Sequence, residues 1–87
     1  MYVIIVYDIG VERVNKVREF LRQYMNWVQN SVFEGELTRS EYIRVVDELR
    51  SLIDAETDSI LIYWIRDQKW LKKEVLGVEK APIEEII

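Results

Sequence analysis

The chain has no cysteine and no histidine among its 87 residues, and only one proline. Without cysteine there are no disulfides, no thiol nucleophile and no thiolate metal site. Without histidine there is no imidazole base, so Ser-His-Asp and Cys-His catalysis and the usual zinc sites are excluded. Any catalysis here must be carried by carboxylates, whose hard oxygens favour magnesium or manganese. No apolar run approaches the roughly 20 residues that span a bilayer. The start also lacks the basic region of a signal peptide, and both points lead to an expectation of a cytoplasmic protein with no membrane association.

What is present is a hydrophobic fraction of 49%, enough for one domain with a real core, and a formal charge of -4. The distribution of that charge is more informative than its total. Residues 11 to 25 set Arg13, Lys16, Arg18 and Arg22 against Glu12 and Glu19. Residues 36 to 58 hold seven carboxylates against three arginines, and residues 59 to 80 turn basic again. Two mildly basic regions therefore flank one acidic helix. Taken alone this pattern fits solvated helix faces with pairs such as Glu12 and Lys16.

Tyr2 to Tyr7 reads as a strand, β-branched and aromatic throughout and apolar on both faces. After Gly10 the period changes to a helix, with Val14, Val17, Leu21 and Tyr24 on one stripe and Phe20 beside it. Residues 26 to 37 read as two strands reversing near Asn30-Ser31. Thr38-Arg39-Ser40-Glu41 fits a capping box, with Leu37 and Tyr42 spaced as a hydrophobic staple. The second helix buries Tyr42, Val45, Val46, Leu49, Leu52 and Ile53. Ile60 to Ile65 is another strand apolar on both faces, and a charged connection leads to two short extended segments, 74–79 and 82–87.

The order strand, helix, strand, strand, helix, strand is the α+β ferredoxin-like pattern, an antiparallel sheet with two helices on one face. The expected division is a core over 1–78 and a C-terminal arm over 79–87. Two helices cover one side of such a sheet, and the sequence leaves a second apolar face, assigned here to Val3, Ile5 and Tyr7. A patch of that size calls for a cover, and a two-fold copy of the same sheet is the simplest one. The arm could then add a strand to the partner.

Asp8, where the first strand leaves the sheet, gains a meaning in such a homodimer. Two facing copies would raise each other's pKa unless a cation, such as a weakly held Mg2+ or Mn2+ at the dimer axis, sits between them. The alternative is that Asp8 caps the first helix or the Gly10 turn.

"YDI" at the end of the first strand, "QNSVFEGEL" in the middle strands and the "GVEKAPIEEII" tail resemble the CRISPR-associated protein two family along essentially the whole chain. The resemblance implies a ferredoxin-like homodimer whose tail strand joins the partner's sheet. It implies a role in spacer acquisition, with the dimer bridging the integrase, CRISPR-associated protein one, and holding duplex DNA. It also implies metal-dependent endonuclease activity, on RNA or double-stranded DNA, as an accompaniment to that scaffold role. In that reading Asp8 is both the catalytic residue and the metal ligand. Arg13 and Lys16 match basic residues that contact nucleic-acid backbone, and Arg66 and Lys72 join them. The chain departs from the family pattern at Trp27, where a basic residue is expected, and Trp27 and Trp70 are both read as core. Glu34 and Glu36 are read as solvated strand carboxylates. The rival reading is a toxin-type metal-dependent endoribonuclease on the same fold, and a third class is a small-molecule regulatory domain.

Overall fold

Strand β1 (Tyr2–Asp8) is the centre around which the other elements pair. The computed structural model describes residues 1–81. After β1 come α1 (Val11–Leu21), β2 (Asn26–Gln29), β3 (Val32–Glu36), α2 (Arg39–Leu52), β4 (Ser59–Ile65) and a 3-10 turn at Gln68–Trp70. The sheet order is β2-β3-β1-β4, with every neighbouring pair antiparallel. This is the ferredoxin-like arrangement expected from the order of elements in the sequence.

Local signals account for the element ends. Asn30 takes the reversal between β2 and β3 at φ 43°, a left-handed conformation that asparagine tolerates. The register of β2 shifts between Trp27 and Gln29, a bulge at the sheet edge. At the start of α2 the Thr38 hydroxyl accepts from the Glu41 amide at 3.1 Å, and the Thr38 amide donates to Glu41 Oε1 at 2.8 Å. These reciprocal bonds hold the Glu41 carboxyl below its ordinary pKa. Gly35 eases close packing, since a Cβ there would lie 3.3 Å from the Met25 Cα.

The core lies between the sheet and the two helices. Val3, Ile5 and Phe33 meet Val17, Leu21, Val45 and Leu49, and Tyr7 packs among them. This reverses the sequence-based assignment of the open face. Val3 and Ile5 are fully buried under the helices, and the opposite side of β1 carries Tyr2, which is buried, half-buried Ile4 and Val6, and exposed Asp8. Two apolar faces on one strand look alike, so their period cannot choose between them. The choice is made by β3, whose polar positions Glu34 and Glu36 pair with Ile4 and Tyr2, while Phe33 and Gly35 pair with Ile5 and Val3. On β4 the same open side carries Leu61 and Tyr63, 53% and 58% exposed, and half-buried Ile65.

Trp27 packs against the core as expected, and its indole N–H donates to the Asn30 carbonyl at 3.0 Å. Two further expectations change. Trp70, also read as core, is 73% exposed in the 3-10 turn that follows the last strand. Residues 74–79 form no strand; the backbone bends at Gly77, φ 85°. Lys73, at the end of the charged connection, lies with its Nζ 3.0 Å from Glu34 Oε1 on the open side of β3. The segment 82–87 and its role as an arm lie outside the described residues.

Candidate metal and nucleic-acid site

Asp8 is the last residue of β1, opposite Ser59 of β4, and its exposed side chain belongs to the uncovered face. Among the described residues no side-chain hydrogen bond or salt bridge engages it. It does not cap α1 either. The cap position is Gly10, which makes no side-chain cap bond. The apolar residues nearest it on its side of β1 and β4 are Val6 and Leu61, followed by Ile4 and Tyr63 and then Tyr2 and Ile65.

The turn from Asp8 into α1 is tightly held through Asp58. The Asp58 side chain is 1% exposed and accepts four hydrogen bonds. The Gly10 amide donates to Oδ1 at 2.9 Å, Arg13 Nη2 to Oδ1 at 2.9 Å, Arg13 Nε to Oδ2 at 2.6 Å, and the Asp54 amide to Oδ2 at 2.9 Å. The Arg13 guanidinium, reinforced by the two amides, holds the Asp58 carboxyl well below the usual carboxylate range despite its burial. The same pairing raises the Arg13 pKa further. Arg13 also reaches Thr57 Oγ1 at 3.3 Å and Glu12 Oε1 at 2.8 Å. Gly10 makes room for this fold-back: a Cβ there would lie 2.6 Å from Arg13 Nη2. The glycine two residues after Asp8 thus serves close approach, since its φ of -55° is open to any residue.

The other expected basic residues lie apart. Lys16, on the first half of α1, is exposed. Arg66 and Lys72 are exposed too, but they come after the end of β4 that pairs with Tyr2. The full length of β1, about 20 Å at 3.4 Å per residue, separates that end from Asp8. Glu34 and Glu36 also lie toward the Tyr2 end. Each is paired rather than simply solvated: Glu34 with Lys73, and Glu36 with the N-terminal ammonium at 3.0 Å. Burial, with Glu34 as hydrogen-bond partner and nearby charge, pushes the Tyr2 phenol up to about 12.

Among the described residues no group of three or more carboxylates could hold a metal ion. One chain offers a single hard oxygen donor at Asp8. That fits Mg2+, which keeps several waters and binds through one or two carboxylates; a second copy would supply a second one. Asp58 and Thr57 were missed by sequence reasoning. The usable signal was the placement of Asp58 just before β4, which an antiparallel β1–β4 pair brings beside the exit from β1.

The strand order and one-sided helices define a small ferredoxin-like α+β domain. The sequence is more specific within that class: the model of CRISPR associated protein Cas2 matches residues 1–73, and the chain belongs to that family. It is 60% identical over all 87 residues to the CRISPR-associated endoribonuclease Cas2 of Methanosarcina acetivorans, covering 100% of both chains. It is 56% identical to the protein of the same name from Pyrococcus furiosus, again covering 100% of both. A solved structure described as the crystal structure of cas2 superposes with a TM-score of 0.86 at 45% identity, covering 100% of this chain and 98% of that one. Among the described residues no helix is long and apolar enough to cross a membrane.

Proposed function

We propose that the protein acts in CRISPR spacer acquisition as a homodimer closed on its open sheet face, binding duplex nucleic acid and working beside the integrase, CRISPR-associated protein one. Metal-dependent phosphodiester cleavage at paired Asp8 residues accompanies that role. The observation that carries this reading is the position of Asp8. It is an exposed carboxylate with no side-chain partner among the described residues, at the end of an apolar face on which Leu61 and Tyr63 are more than half exposed. Closing Leu61, Tyr63, Ile4 and Val6 against their copies removes that face from water and draws the two Asp8 residues toward a shared axis.

In the dimer the two carboxylates would hold Mg2+ or Mn2+, with water and phosphate oxygens completing the shell. A bound ion of this kind polarises a phosphate oxygen and lowers the pKa of a bound water. Asp8 contributes ligand oxygens and local negative charge, so it needs no proton-transfer role of its own. Lys16 lies on the helix that begins beside Asp8 and meets backbone phosphates through charge, which makes binding salt-dependent and indifferent to sequence. Arg66 and Lys72, at the opposite end of the sheet, extend the track for a duplex rather than serving the metal. The relatives named as endoribonucleases support RNA as a substrate beside double-stranded DNA.

The test compares wild type and Asp8→Asn on labelled duplex DNA and single-stranded RNA, with Mg2+ and with chelator. The expected result is metal-dependent cutting that drops at least about 100-fold in the variant while binding survives. Equal cutting by both proteins refutes the catalytic role of Asp8. Binding without cutting by either leaves the scaffold role alone.

A further inference from the structure

The geometry points to Asp58 and Arg13 as a positioning pair for Asp8: together they fix the backbone that aims the Asp8 carboxylate, and Arg13 is not a phosphate contact. This rests on reading Asp8 as the metal ligand. Asp8 makes no side-chain bond of its own among the described residues, so its direction depends on how its backbone is held. On one side it is held by pairing with Ser59. On the other, two residues along, the Gly10 amide is bonded to Oδ1 of Asp58, the residue next to Ser59. Adjacent residues of one strand entrance thus anchor both ends of the three-residue segment that carries the ligand.

Arg13 locks that anchor. Its fork fills both Asp58 oxygens, and its remaining reach goes to Thr57 and Glu12. A guanidinium already facing two carboxylates has little charge to offer a phosphate. The Asp54 amide completes the set, so the end of the α2–β4 connection and the β1–α1 turn are tied through one side chain that is 1% exposed.

Outer partners that orient a metal ligand typically change metal affinity by 10- to 100-fold when lost. Mn2+ affinity, read by electron paramagnetic resonance of the free ion with the full-length protein well below its unfolding temperature, is therefore the probe. Asp58→Asn and Arg13→Gln are each expected to weaken Mn2+ binding about tenfold with the circular dichroism of the folded protein retained. In parallel, the dependence of duplex DNA affinity on salt separates the two roles of a basic residue. Lys16→Gln is expected to reduce the slope by about one for each lysine in contact, about two when both copies in the dimer touch the duplex, and Arg13→Gln to leave it at the wild-type value. Wild-type Mn2+ affinity in folded Asp58→Asn would overturn the positioning role. A reduced salt slope with unchanged Mn2+ affinity in Arg13→Gln would return Arg13 to the phosphate contacts. Should Asp58→Asn fail to fold, Arg13→Lys decides. It keeps the charge and loses the fork, and wild-type Mn2+ affinity in it would overturn the proposal. Asp8→Asn is the control for the underlying reading, because unchanged Mn2+ affinity in that variant would remove the metal ligand itself.

Discussion

The two faces of β1 and β4 are built from nearly the same residue types and meet different fates. On one side Val3 and Ile5 are fully buried under the helices. On the other, Leu61 and Tyr63 remain more than half exposed around Ile4 and Val6, and Asp8 ends the row. A strand apolar on both sides carries two instructions, one for the fold and, in the dimer we propose, one for association. Only the first is carried out within a single chain. The difference also places Asp8, because a carboxylate on the helix side would be sealed in the core and this one, on the open side, is exposed.

Substitutions on the two faces should separate these instructions. Ile5→Ala, on the covered face, should cost about 2–5 kcal/mol of stability, a large share of what a domain of this size has, read as a lower urea midpoint. Leu61→Glu, on the open face, should instead weaken self-association by about 100-fold, or ~2.7 kcal/mol, with the monomer still folded by circular dichroism. Sedimentation over a concentration series measures it. If Leu61→Glu unfolds the chain, or Ile5→Ala changes association alone, the two faces have been confused.

Smaller effects come from the boundaries. Thr38→Ala should lower stability by about 1 kcal/mol through loss of the cap of α2, without altering association. The pH limbs divide in the same way. The depressed Asp58 carboxyl contributes stability that is present above the ordinary carboxylate range near pH 4 and is lost as pH falls below it. Asp58→Asn should flatten that acid limb. The Tyr2 phenol, raised from 10.0 to about 12, contributes stability present below pH 10 and lost as pH rises through 12. Tyr2→Phe should flatten the alkaline limb, measured by thermal unfolding between those values.

Much of this fold could be read from local chemistry. Thr38 and Glu41 announced the start of α2, Asn30-Ser31 the reversal, and the two hydrophobic periods the element order. Asp8 was recognisable as an odd residue at the end of an apolar strand. The parity of the open face was legible only through β3, where Glu34 and Glu36 mark the side away from the helices, and that required the β1–β3 register. The partner of Arg13 was hidden for a similar reason: Asp58 lies 45 residues away. Arginine spacing along a helix looks the same whether the charge faces phosphate or a distant carboxylate. Trp70 was misplaced because an aromatic residue beyond the last strand carries no sign of whether anything lies above it.

The central claim is that the face bearing Asp8 is the face two copies share. The absence of cysteine permits a direct measurement: Asp8→Cys and, on the solvent side of α2, Ile43→Cys, each treated with a short bismaleimide and run on a denaturing gel. The account predicts a covalent dimer from Asp8→Cys and monomer from Ile43→Cys. A sedimenting dimer that cross-links through position 43 and not through position 8 would contradict it.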